Sequence, residues 1–307
     1  MSSSIRVSFA LIAMSALAAC AGGGGGDGSV VRNDSAFRND SVVIRQVPFT
    51  SFSAVAPNET VIMPGISQTG SGTDAAFNLD AVDGGNSTAR LTYDADGNLS
   101  GLTLSAPQST VAFGPGETHC DTVGACAAAN AGAIAAVMNP VDLGWNYQSF
   151  GVWMKDVSPG SFQAGAISAG AVTPGSAVPT LSSATFTGHA GGFYFDGAGG
   201  RFATDAQMSA VTNFQNRNIQ FSTTGTVLTD MSTFAPASAS PGLNLSGNLN
   251  YAAGTSQFSG AVNTQDGALT GNASGQFYGP KAEEIGGVYG LGSATGARMV
   301  GGFGGKR

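Results

Sequence analysis

From residue 184 to the end of the chain, apolar and polar positions alternate with a period of two. In "RFATDAQMSAV" Phe202, Thr204, Ala206, Met208 and Ala210 share one face, and Arg201, Asp205, Gln207 and Ser209 share the other. "LNLSGNLNY" sets Leu243, Leu245, Leu249 and Tyr251 against Asn244, Ser246, Asn248 and Asn250. The same period runs through "ATFTGHAGGFYF", "NIQFST", "SQFSGAVN", "GALTGNASGQFYG", "EEIGGVYGLG" and "ARMVGGFGG". Period-two alternation puts successive side chains on opposite faces of a strand. The connections are too short for crossover helices, so the strands pair antiparallel. Eight such strands close naturally into a barrel filled by its own side chains. One face is Asn, Ser, Gln and Thr throughout, which predicts a soluble eight-stranded antiparallel barrel rather than one with a lipid-facing apolar band.

The first half is less regular but also reads as strand and turn, which makes the chain all-β. "ARLTYDADGNLSGLTLS" predicts a hairpin about Asp96-Gly97-Asn98. "GWNYQSFGVWMKD" carries both tryptophans, Trp145 and Trp153, and predicts a buried strand. "AAANAGAIAAVM", Ala127 to Met138, is Ala-rich and stopped by Asn139-Pro140, which predicts one short helix. "SAGAVTPGSAVPTLSS" is small, uncharged and Pro-containing, and marks a join between a β-rich domain over residues 30–181 and the barrel over 182–307. Within the barrel, residues 225–242, "GTVLTDMSTFAPASASPG", are long for a hairpin connection and form a candidate contact loop.

Composition narrows the function. Charged residues make up 10% of the chain and the net charge is −7, which argues against nucleic-acid binding. No nucleophile motif, phosphate loop or metal cluster is present, so the chain does not read as an enzyme. Asp94, Asp96 and Asn98 match the first ligand positions of a calcium loop, but Leu99 and Ser105 stand where its Gly and Glu belong, so the stretch reads as a turn. His119 and His189 are the only histidines and leave haem as an open candidate, with no cofactor otherwise indicated.

The first residues carry the clearest targeting signal. Arg6, the apolar "VSFALIAMSALA" and "LAAC" form a signal peptide over residues 1–19 ending at Cys20. Leu17-Ala18-Ala19-Cys20 resembles the lipobox of bacterial lipoproteins. That resemblance implies lipid attachment at Cys20, with the Gly-rich residues 20–29 as a tether. A multiply acylated cysteine is a lasting membrane anchor. Ala21, where lipoprotein sorting would read an Asp as inner-membrane retention, implies the outer membrane. In an exported, oxidising compartment the remaining pair, Cys120 and Cys126, predicts a small disulfide-closed loop, since a metal pair lacks further ligands nearby.

One charged cluster interrupts this neutral chain. In "QFYGPKAEEIGG", Lys281, Glu283 and Glu284 crowd together after Pro280. The cluster reads as a solvated turn, with Lys281 and Glu284 placed to pair across it. Catalysis by its adjacent carboxylates is disfavoured, because neighbours on a strand point to opposite faces. Together with "ATFTGHAGGFYF" and the terminal "GGFGGKR", the pattern resembles the transferrin-binding protein B-like β-barrel family. "YQSFGVWM" and "TPGSAVP" are similar to the segment that precedes the barrel in single-lobe members. The resemblance implies a handle domain before the barrel and an outer-membrane-anchored surface lipoprotein, expected to be monomeric. It further implies binding of a host protein or an iron- or haem-related solute, alone or with a TonB-dependent receptor. The alternative is a structural envelope lipoprotein with no soluble ligand.

Overall fold

The computed structural model describes residues 65–69, 76–79, 88–94, 98–106, 109–120, 124–158 and 161–307. The signal peptide, Cys20 and the tether lie outside the described residues. In chain order the strands are β1 (Gly65–Thr69), β2 (Ala76–Leu79), β3 (Thr88–Tyr93), β4 (Leu99–Ala106), β5 (Ser109–Phe113), β6 (Thr118–Cys120), β7 (Ala125–Asn130), β8 (Ala133–Met138), β9 (Gln148–Ser158) and β10 (Ser161–Gly170). They continue with β11 (Ser183–Phe195), β12 (Arg201–Asn213), β13 (Asn218–Asp230), β14 (Ser238–Ala239), β15 (Leu245–Tyr251), β16 (Gln257–Thr264), β17 (Thr270–Tyr278), β18 (Glu284–Gly292) and β19 (Arg298–Lys306). A single helical turn, α1 (Pro140–Leu143), precedes β9.

Strands β11 to β19 form a closed antiparallel barrel in the order β12-β11-β19-β18-β17-β16-β15-β13, with β12 pairing β13 to complete the ring. The two-residue β14 adds to β13 alone. The alternation read from the sequence decides what faces inward. On β15, Leu245, Leu249 and Tyr251 are buried while Ser246, Asn248 and Asn250 are exposed. Phe277 is the hub of the interior, with ring centroids of Tyr251, Phe258, Phe214 and Phe186 at 5.3, 5.5, 5.9 and 6.1 Å. Such tilted and edge-on pairs add to the area that each ring removes from water. Space for the rings comes from missing side chains. A Cβ on Gly275 would lie 2.5 Å from Phe258, and one on Gly287 would lie 2.6 Å from Phe303.

A seven-stranded sheet, β2-β1-β10-β9-β8-β7-β6, packs across the outside of the barrel, and the three-stranded sheet β3-β4-β5 packs on its far side. Strands β7 to β10 of this middle sheet are therefore buried on both faces. Phe150, Val152 and Met154 of β9 and Phe162, Ala164 and Ala166 of β10 meet Phe193, Phe195, Val288 and Val300 of the barrel. Trp153, Ile167 and Ala169 point the other way, onto Leu91, Leu102 and Leu104. Both tryptophans are buried, as their sequence context predicts.

The expected helix over Ala127–Met138 is instead the hairpin β7–β8, with register Ala127↔Ala136 and Asn130↔Ala133. Ala125, Ala127, Ala136 and Met138 face the barrel side, while Cys126, Ala128, Ala135 and Val137 face the three-stranded sheet. Alanine is a strong helix former in isolation. Here a layer squeezed between two others needs side chains small on both faces, and tertiary packing overrides the propensity. Gly132 donates to Asn130 Oδ1 at 3.2 Å and closes the turn.

The loop expected over 225–242 is also shorter than the sequence implies. β13 runs on to Asp230 through a bulge at which Gly225 and Thr226 oppose Ala206. Gly225 has φ +67°, the left-handed conformation that a bulge glycine takes readily. What reads as a loop start is thus an irregularity inside a strand.

Candidate functional site

The barrel has two ends. One carries the turns 196–200, 265–269 and 293–297 and the connection 231–244. The other carries the turns 214–217, 252–256 and 279–283, the entry of the chain at 178–182, and the C-terminus. The long connection at the first end has exposed Ser232, Thr233, Ala235, Pro236 and Ala237 at its tip. Its base is held: Asp230 Oδ1 accepts the backbone N–H of Ser232 at 2.7 Å and of Thr233 at 3.0 Å. Asn244 bonds both Thr226 N–H, at 3.1 Å, and Gln265, at 3.0 Å. An uncharged tip on an ordered base is the kind of projecting loop on which recognition surfaces are built.

The charged cluster of the sequence lies at the second end, where the barrel meets the middle sheet. Tyr278, Glu284 and Lys306 stand side by side on β17, β18 and β19, in register Tyr278↔Glu284↔Lys306. All three side chains reach across to the segment around β9 and β10. Tyr278 Oη is 2.8 Å from Ser168 Oγ. Glu284 accepts the backbone N–H of Asn146 at 2.6 Å and of Tyr147 at 3.0 Å. Lys306 Nζ donates to Gly144 O at 2.9 Å. The backbone joins in: Gly279 N–H donates to Ala171 O at 2.8 Å, and Thr173 N–H donates to Phe277 O at 2.9 Å.

Glu284 is thus not part of a solvated turn. It is 2% exposed and bonds the Asn146–Tyr147 backbone instead of pairing with Lys281. Burial pushes its carboxyl up to about 7, against the pull of the N–H donors of Asn146, Tyr147 and Gln148 and of the Lys306 charge. Only Glu283 behaves as a turn residue, accepting the Lys281 N–H at 2.8 Å. Ala282, at φ +60°, and Gly279, at φ +87°, supply the sharp reversal. The sequence reading places Lys281 and Glu283 between strands, as observed, but Glu284 opens β18. It gave no sign of which carboxylate points at the neighbouring sheet, because that depends on a contact 137 residues away.

The two histidines are not brought together. His119 is exposed on β6, and His189 is half-buried on β11, where desolvation lowers its pKa. Among the described residues no group of three or more His, Cys, Asp or Glu could hold a metal ion. Asp94 and Asn98 close the β3–β4 hairpin through Asp94 N–H to Asn98 O at 2.9 Å and Asn98 N–H to Asp94 Oδ1 at 2.9 Å. Cys120 and Cys126 are direct cross-strand partners on β6 and β7, with Cα atoms 4.0 Å apart, and form a disulfide. No helix among the described residues is long and apolar enough to cross a membrane.

Residues 178–307 match the family described as C-lobe and N-lobe beta barrels of Tf-binding protein B. No curated protein matches the chain. Among solved structures, a transferrin-binding protein B variant from Haemophilus parasuis is similar at 15% identity and TM-score 0.44, covering 80% of this chain and 45% of that one. Isotype 1 transferrin-binding protein B from Neisseria meningitidis is similar at 16% identity and TM-score 0.44, covering 80% and 44%. The N-lobe domain of lactoferrin-binding protein B from Moraxella bovis is similar at 10% identity and TM-score 0.37, covering 81% and 99%. The chain therefore spans less than half the length of the first two.

Proposed function

With the barrel over residues 178–307 belonging to the family of transferrin-binding protein B barrels, we propose that this chain is a lipid-anchored binding protein of the bacterial outer surface. Its partner in this reading is a host protein or an iron- or haem-related solute. The family match of the barrel carries the proposal; the lipobox at Cys20 supports it independently. In this reading the sheets before residue 182 are the handle that orients the barrel. The Tyr278–Glu284–Lys306 row ties the two together, and the 231–244 connection is available to the partner. Binding, rather than catalysis, is the role.

The experiment has two parts. Cells fed labelled palmitate incorporate it into the wild-type chain and not into Cys20→Ser, and protease added to intact cells removes the wild-type protein. The mature protein, immobilised through its N-terminus, is then offered serum together with transferrin, lactoferrin and haem. Enrichment of a carrier, or a haem Soret shift lost in His189→Ala, supports the reading. Labelled, protease-accessible protein that enriches nothing returns the chain to the structural alternative.

A further inference from the structure

The second end of the barrel carries a pocket of about 170 Å³ between the entering chain and two turns. Val178, Pro179, Phe214 and Tyr251 give it apolar walls, and Arg217 and Ala253 lie at its rim. An apolar cavity of about 150 Å³ is large enough to take a benzene ring. Beside it stands Leu181, 70% exposed, one of two large hydrophobic side chains exposed among the described residues.

Positive charge gathers at this end of an otherwise acidic chain. Arg217, Lys281, Lys306 and Arg307 are all exposed there. Arg307 lies with Cζ 6.0 Å from the ring centroid of Phe214, which itself lines the pocket. Two of these cations bond carbonyl oxygens: Arg307 donates to Lys281 O at 2.8 Å and Lys306 to Gly144 O. Among the described residues no carboxylate is paired with Arg217, whose own carbonyl accepts Tyr251 N–H at 3.3 Å. The two side-chain carboxylates of the barrel at this end are occupied, Glu284 in the clamp and Glu283 on the Lys281 N–H. At the opposite end Asp196, Asp230 and Asp266 cap their own turns.

We propose that this end of the barrel docks an acidic peptide segment of a partner protein, with one aromatic side chain seated in the pocket and the flanking carboxylates on Arg217 and Arg307. The inference rests on the reading of the barrel as a binding module and names a face for it. Surface cations attract and orient an acidic partner, and the apolar walls of the pocket supply the anchor. A flat anionic membrane would use the charge and leave the concavity empty, so the pocket favours the peptide.

The test is fluorescence anisotropy of the mature chain with labelled Asp-Glu-Phe-Glu-Asp and Asp-Glu-Ala-Glu-Asp peptides. The Phe peptide binds saturably, about tenfold tighter than the Ala peptide, and both weaken as salt rises from about 50 to about 300 mM. Reversal of both arginines, Arg217→Glu with Arg307→Glu, lowers both affinities roughly tenfold. Ala253→Trp, at an exposed rim position, abolishes the preference for Phe and keeps the salt dependence. Equal binding of the two peptides overturns the proposal, as does binding indifferent to the reversal. Adsorption to phosphatidylglycerol vesicles without peptide binding also overturns it. A reversed protein that still captures a serum carrier removes this face and leaves the binding role standing.

Discussion

Glu284 Oε2 on the barrel accepts the backbone N–H of Tyr147 at 3.0 Å, across 137 residues of sequence. Its other oxygen takes the N–H of Asn146 at 2.6 Å. Two donors of an irregular segment, which no strand partner satisfies, are thereby paired in a buried place. Glu284→Ala leaves both without acceptors, and an unsatisfied buried donor costs about 1–3 kcal/mol. Urea unfolding near pH 5 is expected to show a loss of about 2 kcal/mol or more. A loss below about 0.5 kcal/mol would show that water replaces the carboxylate and that the clamp contributes little.

The same residue gives the fold a pH dependence whose sign follows from burial. The folded chain holds the Glu284 proton up to about 7, whereas the exposed group in the unfolded chain releases it near 4.5. Between those values the folded state binds more protons, so its stability is greatest below the lower value and falls as pH rises to the upper one. The full span corresponds to about 3 kcal/mol. Glu284→Gln cannot titrate, so its stability relative to wild type should improve from about pH 5 to about pH 8. Parallel curves for the two proteins over that range would remove Glu284 as the source.

Gly302 lets the two layers approach. A Cβ there would sit 2.7 Å from Phe150 Cδ2, inside the buried contact between β19 and β9. Gly302→Val must push the middle sheet away or distort β19, and overpacking of this kind costs about 1–3 kcal/mol. The measurement is the urea midpoint, coupled to protease cleavage between residues 170 and 183. Unchanged stability would mean that Phe150 swings aside freely.

The Cys120–Cys126 disulfide closes a loop with a sequence separation of 6. A loop that short removes little chain entropy, roughly 2 kcal/mol in the polymer description. The double substitution to Ala should lower stability by about that amount and leave the barrel's hydrogen-exchange protection intact. Loss of barrel protection as well would show that β6 and β7 support more than their own edge of the sheet.

The barrel was legible because its information is local. Alternation on β15 or β16 is visible without knowing what lies elsewhere. The Ala127–Met138 hairpin was not legible, because the reason those alanines extend is a barrel on one side and a leucine-rich sheet on the other. Glu284 was misread for the same reason: its partners are backbone groups of a distant segment. Arg217 carries no local signal, since only the fold sets it beside Phe214 and Tyr251.

Gly225 joins the local and the distant, and it separates backbone strain from crowding. It sits at φ +67° in the bulge of β13, yet a Cβ added there meets nothing within 4 Å. Space therefore cannot penalise Gly225→Ala; only the left-handed conformation can, at about 1–2 kcal/mol. Asn tolerates that region better than Ala does, so Gly225→Asn should recover part of the loss. The order of urea midpoints is expected to be Gly, then Asn, then Ala. The bulge also aims β13 toward Asp230 and the base of the 231–244 connection, so the Ala variant should raise exchange of the Ser232 and Thr233 amides. If all three proteins unfold at one midpoint, the strand has another way of absorbing its extra residue, and the connection does not depend on this glycine.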